Sequence, residues 1–523
     1  MNRRVMAVTI LAVWLAAVGW LLKREYLSGD ASALFANEPL NVSPTATYYR
    51  LVLGGQHIGF ASSLVDTLPD AVRVQDLMVL DIPALGTIQR VEARTVAQLS
   101  RSLRLRTFTA TLRGSQAQFA ARGAVSGDTL LTLEIQTAGT TQTSEVRLSR
   151  PIVLPSLLPL RVAFGGEVEV GQTYTVPMFD PVLLQTREVT VAVTAESTMV
   201  VVDSAAITPD SLWEPARWDT VRAWRVTQRT GGLEMEAWID DLGRIVSAST
   251  PVGFRMERTA FEIAYLNFGL RRPEARTAGL GGADLIRQTA IAAAGPGATA
   301  AVRDLEGGTL AELRVRLGGV ALDGFDLSGG RQLLAGDTLI VRREEASRLE
   351  ASYRLPAILP EIEEYLRSEP LIQVNDPRIQ AQARTIVGRM RNPARAARAI
   401  NEWVYEALDK QVTVSVPSAV DVLETRRGDC NEHTVLFVAL ARAAGIPTRT
   451  AAGLMLVSDR FYYHAWPEVW MGEEWVAVDP TFNQFPADAA HLRFTVGGLV
   501  RQVELIRLIG QLTIDVVDSQ RTP

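Results

Sequence analysis

The periodicity of apolar residues changes character once along this chain, near Pro360, and that change limits the folds open to it. Before it, short runs with period-two alternation recur between turn residues: Tyr48 to Leu53, Arg104 to Leu112, Leu130 to Thr137, Glu188 to Val193, Ala223 to Thr227, Leu233 to Ile239 and Ile245 to Ser249. Gly54-Gly55 and Asp240-Asp241-Leu242-Gly243 have the chemistry of tight turns between such runs. Spaced strands with few helical periods predict an antiparallel β-rich domain over 40–270. A connector and small β domain follow over 271–360, with one short helix expected around Ala283 to Ala293. Residues 150–165, RPIVLPSLLPLRVAFG, are apolar and Pro-rich, and would suit an apolar ligand or a docked partner.

Beyond Pro360 the pattern is helical. Asp376-Pro377 and Asn392-Pro393 each pair an N-cap with a first-turn proline. Ile400, Trp403, Val404, Ala407 and Leu408 then fall on one stripe. Ser418 can cap a helix over 419–425, and another runs from Asn431 to Ala444, stopped by Gly445 and Pro447. A tail, 496–523, is apolar enough at Leu505, Ile506, Leu508, Ile509 and Leu512 to pack back on a domain. The fold class expected is therefore α+β, with β-rich antiparallel domains ahead of a C-terminal domain over 361–495.

Val5 to Leu22 carries no charge and is flanked by Arg3-Arg4 and Lys23-Arg24. At about 1.5 Å per residue it reaches roughly 27 Å, the thickness of a hydrocarbon core. No small-residue cleavage site follows closely, so residues 1–27 read as an uncleaved single-pass transmembrane helix. The expectation is a membrane-anchored protein of the cell envelope, its bulk periplasmic or otherwise extracytoplasmic. A net charge of −5 gives no footprint for nucleic acid. The one cysteine and four scattered histidines contain no HExxH or multi-cysteine spacing, and no acidic loop has EF-hand spacing, so neither metal nor cofactor is expected.

That one cysteine, Cys430, stands in RRGDCNEHT at the amino end of the helix from Asn431. Unpaired N–H groups and the helix dipole there favour a thiolate and could bind an oxyanion. Two strands follow, Thr448 to Leu456 and Tyr462 to Met471, then a third, Glu474 to Asp479. A two-residue turn at 471–472 sets His464 directly opposite Asp479, and a turn one residue later makes them diagonal neighbours on one face. A carboxylate beside an imidazole fixes its tautomer and supports its charged form. Strand parity places Tyr462 and Trp466 on the face of His464, as lining for a substrate cleft. His433, three residues along the helix from Cys430, reads as a bystander.

GDCNEHTVLFVALARAAGIPTRTAAGL, FYYHAWPEVW and WVAVDPTFNQ resemble the three motifs of the transglutaminase-like superfamily. The resemblance covers about 365–495. It implies a papain-like fold with Cys430 as nucleophile, His464 as general base and acid, and Asp479 as its orienter. It also implies a peptide or protein substrate and an amide or peptide hydrolase or acyltransferase. Members of the superfamily include domains without activity, so a binding or scaffold protein for peptide, glycan or partner protein is the alternative reading.

Overall fold

The structure is a computed structural model. It describes residues 40–522 apart from 85–86, 115–117, 138–139, 210–211, 231–232, 251–252, 271–288, 346–348, 350 and 412–417. Among the described residues, fourteen strands form one antiparallel sheet. From the edge strand Thr140–Arg147 the order runs backward through the chain to Thr45–Leu53. Thr45–Leu53 pairs with Phe254–Thr259, and the order again runs backward to the other edge, Thr173–Asp180. Consecutive strands are thus neighbours in space, as short turns dictate, except for the two edge strands, and that junction is the one pairing of strands distant in sequence.

The sheet curls. Phe108, near one end, packs its ring 5.6 Å from Phe179 on the opposite edge strand. Both belong to one core that also takes in Leu154, Leu157, Leu158 and Val162. The Pro-rich segment singled out in the sequence therefore runs inside the curl, as a short helix over Leu158–Phe164. There it supplies the apolar filling that a sheet of alternating residues needs on its concave face. Ile152 to Leu158 is buried, apart from Pro155 and Ser156.

Among the described residues the C-terminal half holds a two-stranded parallel pair, Asp409–Lys410 with Arg427–Gly428, and two larger sheets. One orders Ile291–Ala292, Arg460–Trp470, Thr448–Val457 and His491–Val496, with Trp475–Ala477 paired to Arg460–Trp470. The other orders Gln332–Ala335, Thr338–Arg342, Leu310–Gly318 and the tail strand Thr513–Arg521. The helix expected around 283–293 falls largely outside the described residues, and its last residues, Ile291–Ala292, pair as strand with Phe461 and Arg460. On the helical side, Pro377–Val387, Pro393–Ala407 and Ala419–Thr425 are capped by Asp376, Asn392 and Ser418. They surround Cys430–Ala443, whose Leu436, Phe437, Val438 and Leu440 are fully buried. Thr137 Oγ1 donates to Ser418 Oγ at 3.2 Å, joining the large sheet to the helical side.

The membrane expectation is corrected here. No helix among the described residues is long and apolar enough to cross a membrane, and Val5 to Leu22 lies outside them. The longest described helix, Pro393–Ala407, has 15 residues, alternates Arg and Glu with its apolar stripe, and spans only about 22 Å. The anchored, extracytoplasmic placement loses its support and is dropped.

One core runs through Leu313, Val315, Leu339 and Val341 as well as Leu454, Phe461, Phe494 and Ile514. A cut at 360 divides it, and the tail strand pairs with Leu310–Gly318 upstream of that cut. A fragment over 290–523 is therefore expected to unfold in one cooperative denaturant transition. A fragment over 360–523, stripped of half that core, is expected to show a non-cooperative transition followed by circular dichroism.

Candidate active site

Cys430 is the first residue of its helix, after Asp429. Asp429 and Glu432 form a capping box: Asp429 Oδ1 accepts from Asn431 N at 2.9 Å, and Glu432 Oε2 accepts from Asp429 N at 2.9 Å. Gly428, at φ 155°, is what this turn requires, since a Cβ there would stand 2.2 Å from Glu432 Cβ. Two N–H groups of the first turn, those of Asn431 and Glu432, are thus taken by Asp429, so they are not the oxyanion donors that helix-end reasoning suggested. Thr434 Oγ1 donates to Ala465 O at 3.1 Å and ties the helix to the strand that carries His464. The Cys430 sulfur lies against the backbone N–H of Ala465, one residue past that histidine.

The strand register is the diagonal one. Glu468 pairs with Ala477, Val469 with Val476 and Trp470 with Trp475. Val478 N donating to Pro467 O at 3.0 Å continues it. Asp479 therefore stands opposite Trp466 and diagonal to His464, within side-chain reach. His464 Nε2 donates to Asp479 Oδ2 at 2.8 Å. With Nε2 engaged, Nδ1 is the nitrogen left to accept a proton.

Asp479 is the most heavily bonded group of the site. Its Oδ1 accepts from the N–H groups of Thr481 at 2.7 Å and Phe482 at 3.2 Å. Its Oδ2 accepts from His491 Nε2 at 2.9 Å as well as from His464. Burial opposes the charge, yet His464 and His491 hold the carboxyl well below the usual range. His491 is fully buried, and its Nδ1 faces Asp488 O and Oδ1, each at 3.2 Å. Both ring nitrogens meet only acceptors, which fits the doubly protonated form. Burial opposes that charge too, but Asp479 and Asp488 raise the pKa to about 9.

His491 was not legible as part of the site. It lies on a strand at the far side of Thr448–Val457 from His464, and only the folded sheet order brings it to Asp479. The donor atoms of His464, Asp479 and His491 lie within 4.8 Å of one another. In this structure they are joined by hydrogen bonds from the two imidazoles to Asp479 Oδ2.

The aromatic lining differs from expectation. Trp466 is fully buried, 6.0 Å from the His464 ring at 25°, so it supports the imidazole from within and presents no surface to a cleft. Strand parity placed it on the correct face, but the turn and residues after Asp479 cover that face. Tyr462 is half-buried. The exposed aromatic is Phe482, 46% exposed and edge-on to His464 at 5.7 Å. His433 is fully buried with Nδ1 2.7 Å from Asp429 O, and burial lowers its pKa.

Cys430 itself is partly buried. Burial pushes its thiol up, and the nearby carboxylates of Asp429, Glu432 and Asp479 add to the shift against the favourable Ala465 N–H. The stabilisation of a thiolate expected from the helix end is thus opposed by burial and by these three carboxylates.

The thiol thus starts a helix that is tied to the antiparallel sheet carrying the imidazole, with the carboxylate hydrogen-bonded to it. Residues 380–480 match the model of the transglutaminase-like superfamily, and the chain carries a transglutaminase-like domain. Over 101 residues it is 32% identical to an uncharacterized protein of Haemophilus influenzae, covering 18% of this chain and 27% of that protein. Over 76 residues it is 36% identical to a protein-glutamine gamma-glutamyltransferase of Pseudomonas aeruginosa, covering 12% of this chain and 11% of that one. The chain therefore spans well under a third of either relative's length. A solved structure named "Putative Cysteine Protease" from Cytophaga hutchinsonii aligns at a TM-score of 0.28 and 17% identity, over 40% of this chain and 90% of that one.

The His491 charge yields a prediction. Its folded pKa of about 9 exceeds the ~6.5 of an unfolded histidine, so its stabilisation is complete below ~6.5 and is lost as pH rises through about 9. His491→Leu is expected to cost about 1.5–3 kcal/mol near pH 6. It should also flatten the fall in thermal midpoint that the parent protein shows between neutral pH and pH 9, as read by scanning calorimetry.

Proposed function

We propose that this protein is a thiol-dependent amide hydrolase or acyltransferase acting on peptide or protein substrates. Cys430 is its nucleophile, His464 its general base and acid, and Asp479 the group that orients His464. The observation that carries the reading is the His464–Asp479 hydrogen bond at 2.8 Å, fully enclosed, beside a helix that starts with the cysteine. An imidazole tethered through Nε2 presents Nδ1 as a base, and the buried carboxylate stabilises the cation that forms.

Burial and the neighbouring carboxylates raise the Cys430 thiol, and proton transfer from it to His464 accompanies attack. The Cys430 sulfur bonds to the amide carbon, and the thiol proton moves to His464. The tetrahedral intermediate then expels the amine, which takes that proton, and leaves a thioester on Cys430. Water, activated by the same imidazole, releases the acid and frees the thiol; an amine in its place gives a new amide. Hydrolysis is the preferred outcome because it needs no second substrate. His491 shares Asp479 with His464, and its positive charge offsets the carboxylate. Phe482, exposed over His464, is the side chain placed to meet the substrate.

The test is turnover of glutamine-containing peptides, followed by ammonia release and by incorporation of a fluorescent amine. Cys430→Ala is expected to abolish both signals, and His464→Ala to lower the rate about 10²–10⁴-fold. Asp479→Asn is expected to lower kcat with little change in KM, while His433→Ala leaves the rate near that of the parent. Equal turnover by Cys430→Ala would refute the reading, and a parent protein that binds peptides without turnover would favour the binding role.

A further inference from the structure

The large antiparallel sheet contains a cavity of about 280 Å³, remote from Cys430. Its floor is built from four adjacent strands in register. One rung across them reads Thr47, Ser63, Asp76 and Thr95. The next reads Tyr49, Ala61, Met78 and Ala93, and the rung on the other side begins Thr45, Val65, Val74. A stripe of four polar side chains thus crosses a wall that is otherwise largely apolar, and the two alanines open the space beside it.

The roof is the helical segment at Ser156, Leu157, Pro159 and Leu160, with the turn at Leu242 and Gly243 against it. Gly243, at φ 71°, is in such close contact that a Cβ would stand 2.7 Å from Leu160 Cα. The roof is held in place by that contact and by the Val153–Met178 bridge.

Asp76 is the unusual member of the floor. Its Oδ1 accepts from Ser63 Oγ at 2.7 Å, while Oδ2 makes no hydrogen bond of ordinary geometry. Burial raises its pKa against the influence of the Ser63 and Ser156 hydroxyls. Oδ2 is thus open to a hydrogen bond with an oxygen-bearing group of a ligand. The nearest cations do not alter this picture: Arg244 and Arg258 are both paired with Asp240. A buried polar stripe with an unfilled hydrogen-bonding group suits a ligand that brings its own oxygen.

The volume sets the size of that ligand. A cavity of ~150 Å³ accommodates benzene, so this one has room for roughly ten to twelve carbon atoms. We propose that the cavity binds a neutral single-chain amphiphile, its medium-length alkyl or acyl tail over the Tyr49–Ala61–Met78–Ala93 rung. The hydroxyl or carbonyl oxygen of its head then lies on the Thr47–Ser63–Asp76–Thr95 rung.

The probe is decanoylglycerol, titrated calorimetrically into the full-length protein below the lipid's aggregation concentration, with glycerol and decyltrimethylammonium as comparisons. One equivalent of decanoylglycerol is expected to bind, and glycerol not at all. Ala93→Phe, which fills the space from the floor, is expected to weaken binding by at least about tenfold while the rate of Cys430 alkylation stays unchanged. No binding by the parent, equal binding by Ala93→Phe, or equally tight binding of the cationic decyl compound overturns the proposal. A diazirine-bearing decanoyl probe removes dependence on how the variant folds. Crosslinks within residues 45–95, 156–160, 242–245 or 256 support the site, and crosslinks confined to other peptides refute it.

Discussion

The buried carboxylate of Asp479 is the constraint on which the C-terminal architecture turns. An ion in so enclosed a place is tolerated only where its oxygens are met by donors, and here four are supplied. Two come from the backbone immediately after it and two from imidazoles on separate strands. The diagonal register, the turn at Pro480 and the placement of His491–Val496 beside Thr448–Val457 must all be present together to satisfy it. Because the carboxylate is so fully bonded, it holds His464 in one orientation and one tautomer. The same bonding to a second imidazole moderates the field that Asp479 exerts on Cys430.

Much of the site was written in short-range pattern. Cys430 after Gly-Asp at a helix start, and His464 and Asp479 at a spacing set by one hairpin, depend on neighbours within about a dozen positions. The caps read at Asp376, Asn392 and Ser418 likewise act locally, and each does cap its helix. What short range does not encode is order across a sheet. His491 reaches Asp479 only because its strand flanks the one between, and nothing in its sequence neighbourhood marks that. Trp466 was placed on the right face by parity, but parity does not say what covers a face. The helix dipole at Cys430 is a local feature, whereas the desolvation and the Asp479 charge that raise its thiol are contributed by the assembled fold.

The N-terminal half shows the same division. Its strands and turns followed from alternation and turn chemistry. The closure of the sheet at Thr45–Leu53 and Phe254–Thr259 joins segments some two hundred positions apart, and the curl that brings Phe108 to Phe179 follows from that closure. The Pro-rich run at 150–165 announced an apolar role but not its direction. It faces inward, and by roofing the central strands it creates the enclosed space beside Asp76. The boundary near 360 was drawn where periodicity changes, whereas the packing follows the core shared by Leu313, Phe461 and Ile514.

The measurement that tests the central claim most directly is capture of the acyl-enzyme. The protein, mixed with p-nitrophenyl acetate at neutral pH and quenched in acid, is digested and its peptides are mapped by mass spectrometry. The account predicts a single acetyl group on Cys430, labile to hydroxylamine as a thioester is, and absent from His464→Ala under the same conditions. Acetylation confined to Lys410 or other side chains, with Cys430 unmodified in a native protein, would contradict it.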